Sequence, residues 1–214
     1  MKLHTYYRSS ASYRVRIALN LKGLAHDQAY VHLSKDGGGQ FAPGFDALNP
    51  QHLLPVLEVD GMILPQSLAI IEYLDETRPA VPLLPADAKG RARVRALSQA
   101  IAADIHPINN LRVLKYLSAE LGVSAEQKNA WYRHWVTLGL NALERQLAGS
   151  ADTGAFCHGD TPGMADCCLV PQLYNARRFE CDLERYPTLL AIDARCEELA
   201  AFRDARPEAQ ADAE

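Results

Sequence analysis

Polar and apolar positions follow two regimes along the chain. Up to about residue 77, strand-like and helix-like segments alternate. Leu3–Tyr7 reads as a short strand. In Ser12–Lys22 the apolar residues Val15, Ile17, Ala18, Leu19 and Leu21 fall at helical spacing, and Gly23 ends the helix. Gln28–Leu33 is a second strand, and Lys35–Gln40, with glycines at 37, 38 and 39, is a mobile loop by composition. Leu57–Leu64 predicts a hairpin about an Asp60-Gly61 turn. Ser67 then caps a helix over Leu68–Glu76. The order is βαβ, an irregular stretch, then ββα. A parallel pair and an antiparallel pair would share one small mixed sheet with helices against it.

Arg78–Pro85 places Pro79, Pro82 and Pro85 close together, which reads as a stiff extended linker and a domain boundary. Beyond it the spacing predicts only helices, over Lys89–Ala103, His106–Leu121, Ala125–Leu147, Met164–Phe179 and Tyr186–Phe202. The Ala-, Glu- and Asp-rich stretch Arg206–Glu214 reads as frayed. The division expected is an α/β domain over residues 1–80 and an all-α helical domain over 86–214.

Composition narrows the function classes. A formal charge of −4 argues against nucleic acid as the main partner. No apolar run approaches the roughly 18 residues that a membrane span needs, and the first residues read as mature protein rather than a signal peptide. A cytoplasmic protein is expected. The five cysteines, Cys157, Cys167, Cys168, Cys181 and Cys196, are odd in number and form no Cys-x-x-Cys pair, so reduced thiols are expected and no metal site.

Three segments carry candidate chemistry. Ser9, Ser10 and Ser12 sit in the turn from the first strand into the first helix, where free amides and the positive helix end converge. A thiolate bound there would gain a hydroxyl donor, although on spacing alone these serines read first as helix caps. Leu54-Pro55 stands directly before a strand, a position that suits a cis peptide, with an ordinary trans proline as the simpler local reading. In the cis geometry the Leu54 backbone could pair with an extended peptide ligand. Gln66-Ser67 opens the third helix and could take an α-carboxylate and an α-amino group, or simply cap it.

Taken together and in order, these segments resemble one family. Ser9-Ser10-x-Ser12-x-Arg14-Val15-Arg16-Ile17-Ala18-Leu19, Asn49-Pro50 with Leu54-Pro55, and Gln66–Leu74 are similar to zeta-class glutathione transferases. So are Asp104–Leu114, Met164-Ala165-Asp166 with Cys168–Gln172, and Asn175–Phe179. The resemblance spans nearly the whole chain. It implies a thioredoxin-like N-terminal domain, a helical C-terminal domain contributing the substrate pocket, glutathione as a catalytic cofactor, and a homodimer. The implied activity is isomerisation of maleylacetoacetate to fumarylacetoacetate in tyrosine and phenylalanine catabolism. The alternatives are maleylpyruvate isomerisation in gentisate degradation, general glutathione conjugation, or a binding member of the fold without turnover.

Carried over residue by residue, the resemblance sets Ser9 and Ser10 at the sulfur, with Ser9 as thiolate donor, and Ser12 and Arg14 within the same motif. Leu54 would pair with the cysteinyl unit, and Gln66 and Ser67 with the γ-glutamyl end. Gln40, His106, Asn110 and Arg112 would complete the glutathione and substrate pocket. Arg8 and Arg178 would hold the carboxylates of a small dicarboxylate substrate, since a guanidinium fork suits a carboxylate. Arg177 reads as a surface residue. Two positions depart from the family pattern. Ala11 stands where Cys is frequent, which disfavours mixed-disulfide chemistry, and Gly163 replaces a Thr or Ser helix cap, leaving Asp166 to bond back to the cap amide.

Overall fold

Burial of Leu3, His4 and Thr5 in the first strand, and of most residues in the helix that follows it, sets the N-terminal architecture. In the computed structural model, which describes residues 1–214, β1 (Lys2–Thr5) leads into α1 (Ser10–Leu21), then β2 (Asp27–Tyr30) and a short helix α2 (Pro43–Asp46). The hairpin β3 (Val56–Val59) and β4 (Met62–Pro65) precedes α3 (Ser67–Thr77). The sheet order is β2-β1-β3-β4. β1 runs parallel to β2, pairing Leu3 with Gln28, and antiparallel to β3, pairing Leu3 with Leu57. This is the mixed sheet that the βαβ and ββα order predicts. Leu3, Val15, Ile17, Leu19, Leu57, Ile70, Ile71 and Leu74 are sealed from solvent between sheet and helices. Each such side chain contributes about 1.5–3 kcal/mol.

The hairpin turns at Asp60 and Gly61, both with positive φ (50° and 76°), as a two-residue turn requires. The Asp60 carboxylate accepts bonds from the Arg78 guanidinium at 2.7 Å and the Tyr73 hydroxyl at 2.5 Å. These two donors, Arg78 foremost, hold its carboxyl down to about 2. The proline-rich segment is pinned from inside: the buried Lys22 ammonium bonds Asp75 at 3.2 Å and the Val81 carbonyl at 2.5 Å.

The second unit is helical: α4 (Ala88–Gln99), α5 (His106–Ile108), α6 (Leu111–Ala119), α7 (Ala125–Ala148), α8 (Met164–Arg178) and α9 (Pro187–Glu197). A last short helix, α10 (Ala200–Arg203), lies against α1. By contacts the chain forms two compact units, Met1–Leu84 with Glu197–Glu214, and Pro85–Cys196. α8 is buried almost all round, as expected of a helix at the centre of its unit. Four cysteines are buried and Cys181 is half-buried, all as free thiols. No helix is long and apolar enough to cross a membrane.

Several boundaries differ from the sequence reading. α1 starts at Ser10 rather than Ser12, and Ser67 is the first residue of α3 while Gln66 takes the cap position. The segment read as a mobile loop forms two 3₁₀ turns, Lys35–Gly37 and Gly39–Phe41. Its glycines supply positive φ, 82° at Gly37 and 104° at Gly38, and not disorder. α4 passes into a π-type turn, Ala100–Ile105, and the helix expected over His106–Leu121 is interrupted at Asn109-Asn110, where Asn110 starts α6. Leu199 is extended (φ −92°, ψ 129°), which divides Tyr186–Phe202 into α9 and α10. The tail is not frayed. Pro207–Ala209 forms a 3₁₀ turn, and the Gln210 amide donates to the Asp204 and Arg206 carbonyls at 2.8 and 2.9 Å.

Gly163 does serve as the cap of α8. The buried Asp166 accepts the Gly163 amide at 2.8 Å through one oxygen and the Cys157 amide at 2.8 Å through the other. Burial raises the Asp166 carboxyl despite these donors, and raises the Cys157 thiol. Asp166→Ala would strand the buried Cys157 amide and the half-buried Gly163 amide, so it should cost about 2–4 kcal/mol in urea unfolding. A loss below about 0.5 kcal/mol would show that Gly163 caps α8 unaided.

Candidate active site

The end of β1 and the start of α1 build the turn that carries the serines. The Ser9 amide donates to the Tyr6 carbonyl at 3.0 Å, and the Ser9 carbonyl accepts the Tyr13 amide at 2.8 Å. Ser9 is extended (φ −71°, ψ 112°) and caps α1, its Oγ accepting the Ser12 amide at 3.2 Å. Because that bond uses an oxygen lone pair, the Ser9 hydroxyl proton stays available to donate. Ser9 is half-buried, whereas Ser10 and Ser12 are buried. The Ser12 Oγ is sealed and has no protein partner.

Arg14, although charged, is 2% exposed and points inward, its Nη1 donating to Ser67 Oγ at 3.2 Å. This bond ties the serine-turn motif to the start of α3. There Gln66 has φ 73° and ψ 113°, a conformation that L-residues rarely adopt, and its exposed side chain donates to Gln51 Oε1 at 3.2 Å. The Leu54-Pro55 bond is cis, and the β3 ladder begins only at Val56, so Leu54 lies outside the sheet pairing. Gln40 is buried; its Nε2 donates to the Leu33 carbonyl at 3.3 Å, while Oε1 has no protein partner. Gly38 is needed beside it, because an added Cβ would approach Gln40 Oε1 to 2.6 Å. Arg8 is exposed, donates to the Tyr6 hydroxyl at 3.2 Å and lies over the Tyr7 ring at 4.8 Å.

Within the helical unit, His106 follows the π-type turn and its Nε2 lies 3.2 Å from the Asn110 amide nitrogen. Asn110 also caps α6, its Oδ1 accepting the Arg112 amide at 3.1 Å. The π-type turn presses against α7 at Gly139, where any Cβ would fall 2.3 Å from Ile105. Single π turns recur at functional sites. The Arg112 side chain is exposed. Arg178, in the last turn of α8, is exposed, donates to Asn175 Oδ1 at 3.1 Å and lies over the Phe179 ring at 5.7 Å. Arg177 is exposed as expected, but it also pairs with the buried Asp193 at 2.5 Å.

The glutathione S-transferase N-terminal domain family model matches residues 3–82, and the glutathione S-transferase C-terminal domain model matches residues 138–209. A solved holo structure of maleylpyruvate isomerase, a bacterial zeta-class transferase, is 50% identical, with TM-score 0.97 and 100% of both chains covered. The chain belongs to the glutathione S-transferase family, in its zeta class. A probable maleylacetoacetate isomerase of Vibrio cholerae is 56% identical over 99% of this chain and 97% of its own length. The structure of a maleylacetoacetate isomerase from Methylobacterium extorquens, holding malonate and glutathione, is 41% identical with TM-score 0.95 and full coverage (100%) of both chains.

In this zeta-class chain the N-terminal unit bonds Ser9 to Ser12 and Arg14 to Ser67, and the helical unit bonds His106 to Asn110 and Asn110 to Arg112. Sequence reasoning missed Arg16, which is 1% exposed and bonds the backbone of the serine turn. It also missed the chain from Arg8 through Tyr6 to His32 and Glu214. An arginine within an otherwise apolar helical run was the available signal for the first. Nothing local marked the second, because Glu214 stands far from His32 in sequence.

Proposed function

We propose that this transferase catalyses glutathione-dependent cis–trans isomerisation of maleylacetoacetate to fumarylacetoacetate in the breakdown of tyrosine and phenylalanine. The carrying observation is Ser9: its oxygen is engaged by the Ser12 amide and its proton faces no competing acceptor within the cap, at the positive end of a twelve-residue helix. That is a donor set for an anion, and a thiolate is the anion that a serine without a general base can serve. The remaining donors suit a γ-glutamyl tripeptide. Ser12 Oγ and Gln40 Oε1 are buried polar atoms without protein partners, and Leu54 offers backbone outside the ladder.

Glutathione, when bound, supplies a thiolate that adds to the cis double bond and leaves after rotation, so it is regenerated. Ser9 donates to the sulfur and, with the α1 amides, keeps its proton off at neutral pH. Ser10, the next residue and buried, stands with it at the sulfur. Gln66 and Ser67 hold the γ-glutamyl end at the start of α3, and Arg14 orients Ser67. Gln40, His106, Asn110 and Arg112 complete the pocket. Arg8 and Arg178 take the substrate carboxylates and stabilise charge that develops on the carbonyl side of the double bond. On this reading residues 1–80 bind glutathione and 86–214 contribute the substrate pocket, although residues 197–214 pack with the N-terminal unit. The free thiols fit a cytoplasmic protein.

The second reading, maleylpyruvate isomerisation, is favoured by the TM-score of 0.97 to an enzyme of that name. Both substrates carry the same cis-4-oxo-2-enoate end, and the extra methylene of the longer one is worth only about 1–3 kcal/mol in a pocket. Activity is expected on both, with maleylacetoacetate preferred in kcat/KM and glutathione conserved. A strong preference for maleylpyruvate would reassign the enzyme to gentisate breakdown. Stoichiometric loss of glutathione would make it a conjugating transferase, and binding without turnover would leave a ligand-binding protein.

Ser9→Ala should raise the pKa of the bound thiol, read from thiolate absorbance against pH, and lower kcat by about 10²-fold with glutathione affinity held within about threefold. An unchanged titration would move the donor role to Ser10 or Ser12. The edge strand β4 exposes Met62 (43%) and Ile63 (48%), and Phe41 is 58% exposed, so the proposed homodimer has apolar surface to bury. Light scattering should give twice the 23.6 kDa of one chain, and a mass of one chain at micromolar concentration would refute the dimer.

A further inference from the structure

Tyr7 lies two residues before Ser9 and just beyond the end of β1, so its peptide has no strand partner, yet it is buried. Both of its polar groups are held by side chains. Arg16 donates from Nη2 to the Tyr7 carbonyl at 2.9 Å, from Nη1 to the Tyr6 carbonyl at 3.3 Å and to Thr5 Oγ1 at 3.1 Å. Its Nε reaches the Ala205 carbonyl at 3.0 Å, at the start of the C-terminal tail. From the other side, the Asp212 carboxylate accepts the Tyr7 amide at 3.0 Å. The tail that carries Asp212 is folded onto itself by Gln210, which is 8% exposed and bonds two carbonyls of residues 204 and 206. The Ala213 amide closes on the Gln210 carbonyl at 3.0 Å.

We propose that Asp212 is a positioning residue of the active-site turn: by accepting the Tyr7 amide opposite the Arg16 clamp, it fixes where Ser9 presents its hydroxyl and where Arg8 starts. The inference rests on the reading of Ser9 given above. A buried amide without an acceptor turns or opens to find one. Removing Asp212 frees the Tyr7 peptide plane to rotate. The Ser9 amide, which bonds the Tyr6 carbonyl at 3.0 Å across this same peptide, moves with it. A displacement of even an ångström at a reacting group is costly to rate. Asp212 therefore acts on the chemistry from the far end of the chain without touching a ligand.

Two variants and two readouts test this. Amide hydrogen exchange on the ligand-free protein reads the brace itself. Tyr7 should be protected in the parent, exchange at least about tenfold faster in Asp212→Ala, and return towards the parent in Asp212→Asn, which keeps an acceptor oxygen. At saturating glutathione, Asp212→Ala should lose about 5- to 20-fold in kcat with glutathione affinity within about twofold, and Asp212→Asn should recover most of it. A brace that only stabilises the fold would lower the melting temperature and leave kcat at 25 °C unchanged in Asp212→Ala, which overturns the proposal. Equal impairment of both variants also overturns it, because charge and not the hydrogen bond would then matter. If Asp212→Ala does not fold, Asp212→Asn decides alone: near-parental exchange and kcat support the proposal, and a tenfold loss refutes it. A parent that binds and ionises glutathione but isomerises nothing would sink the functional reading only. The thiolate fraction at fixed pH then replaces kcat, and it should fall in Asp212→Ala and recover in Asp212→Asn.

Discussion

A guanidinium that is 1% exposed and has no carboxylate bonded to it must find its acceptors in the backbone, and the N-terminal unit is arranged around that requirement. Burial pulls the Arg16 side chain down to about 10, which still leaves it cationic at neutral pH. Desolvating such a charge costs several kcal/mol unless its donors are met. Arg16 meets them with Thr5, Tyr6 and Tyr7 at the end of β1 and with Ala205 of the tail. One side chain on α1 therefore fixes the exit of the first strand, the turn that presents Ser9, and the return of the C terminus. None of the three could move independently without stranding a buried donor.

This constraint explains how a site without a conventional base can be exact in its geometry. The chemistry proposed asks the protein to lower one thiol pKa and to hold two carboxylates, not to move protons through a relay. A helix start and one hydroxyl can do the first, provided the hydroxyl is aimed and does not rotate away. Ser9 is aimed twice, by its cap bond to the Ser12 amide and by its own amide on the Tyr6 carbonyl. The second of these bonds runs directly into the Arg16 clamp. Stability of the helix cap and orientation of the proposed donor thus rest on the same interaction, so the capping reading and the proposed functional reading of these serines are compatible.

What the sequence made legible was what local pattern controls. The mixed sheet followed from the order of strand and helix periods, and the helix expected over Ala125–Leu147 forms as α7 within one residue of that range. The candidate site was legible because three separate segments matched one family in order. What stayed hidden depended on contacts distant in sequence. The apolar run around residue 16 hints that its side chain turns inward but does not say what it meets there, and its usual reading as a solvated charge fails because four carbonyl or hydroxyl acceptors lie within reach. The stretch 206–214 reads as frayed because Ala, Glu and Asp carry no apolar period, yet Gln210 and Asp212 dock it through polar bonds that hydrophobic patterning cannot see. Gly37 and Gly38 depart from the mobile loop that their composition suggests for a related reason: they take positive φ beside the buried Gln40, and that demand looks like flexibility when only composition is read.

The thiol inventory bears on which chemistry such a turn can support. All five cysteines lie at or beyond residue 157, and Ala11 occupies the place beside the serines where the family often has Cys. A thioredoxin-like unit used for disulfide exchange needs a protein thiol at this helix start, both to form and to resolve a mixed disulfide. Here the helix start offers hydroxyls only, and the buried Cys157 is pushed further from reactivity by the apolar surroundings that raise its thiol. Cis–trans isomerisation has no such need: no electrons are exchanged, the cofactor thiol is returned, and the protein contributes donors and cations but no sulfur of its own. Ala11 therefore disfavours redox chemistry without touching the hydroxyls on which the proposed isomerisation relies, with Ser9 half-buried at the cap and Ser12 buried. Ala at residue 11 thus fits the redox-neutral use of glutathione proposed for this turn.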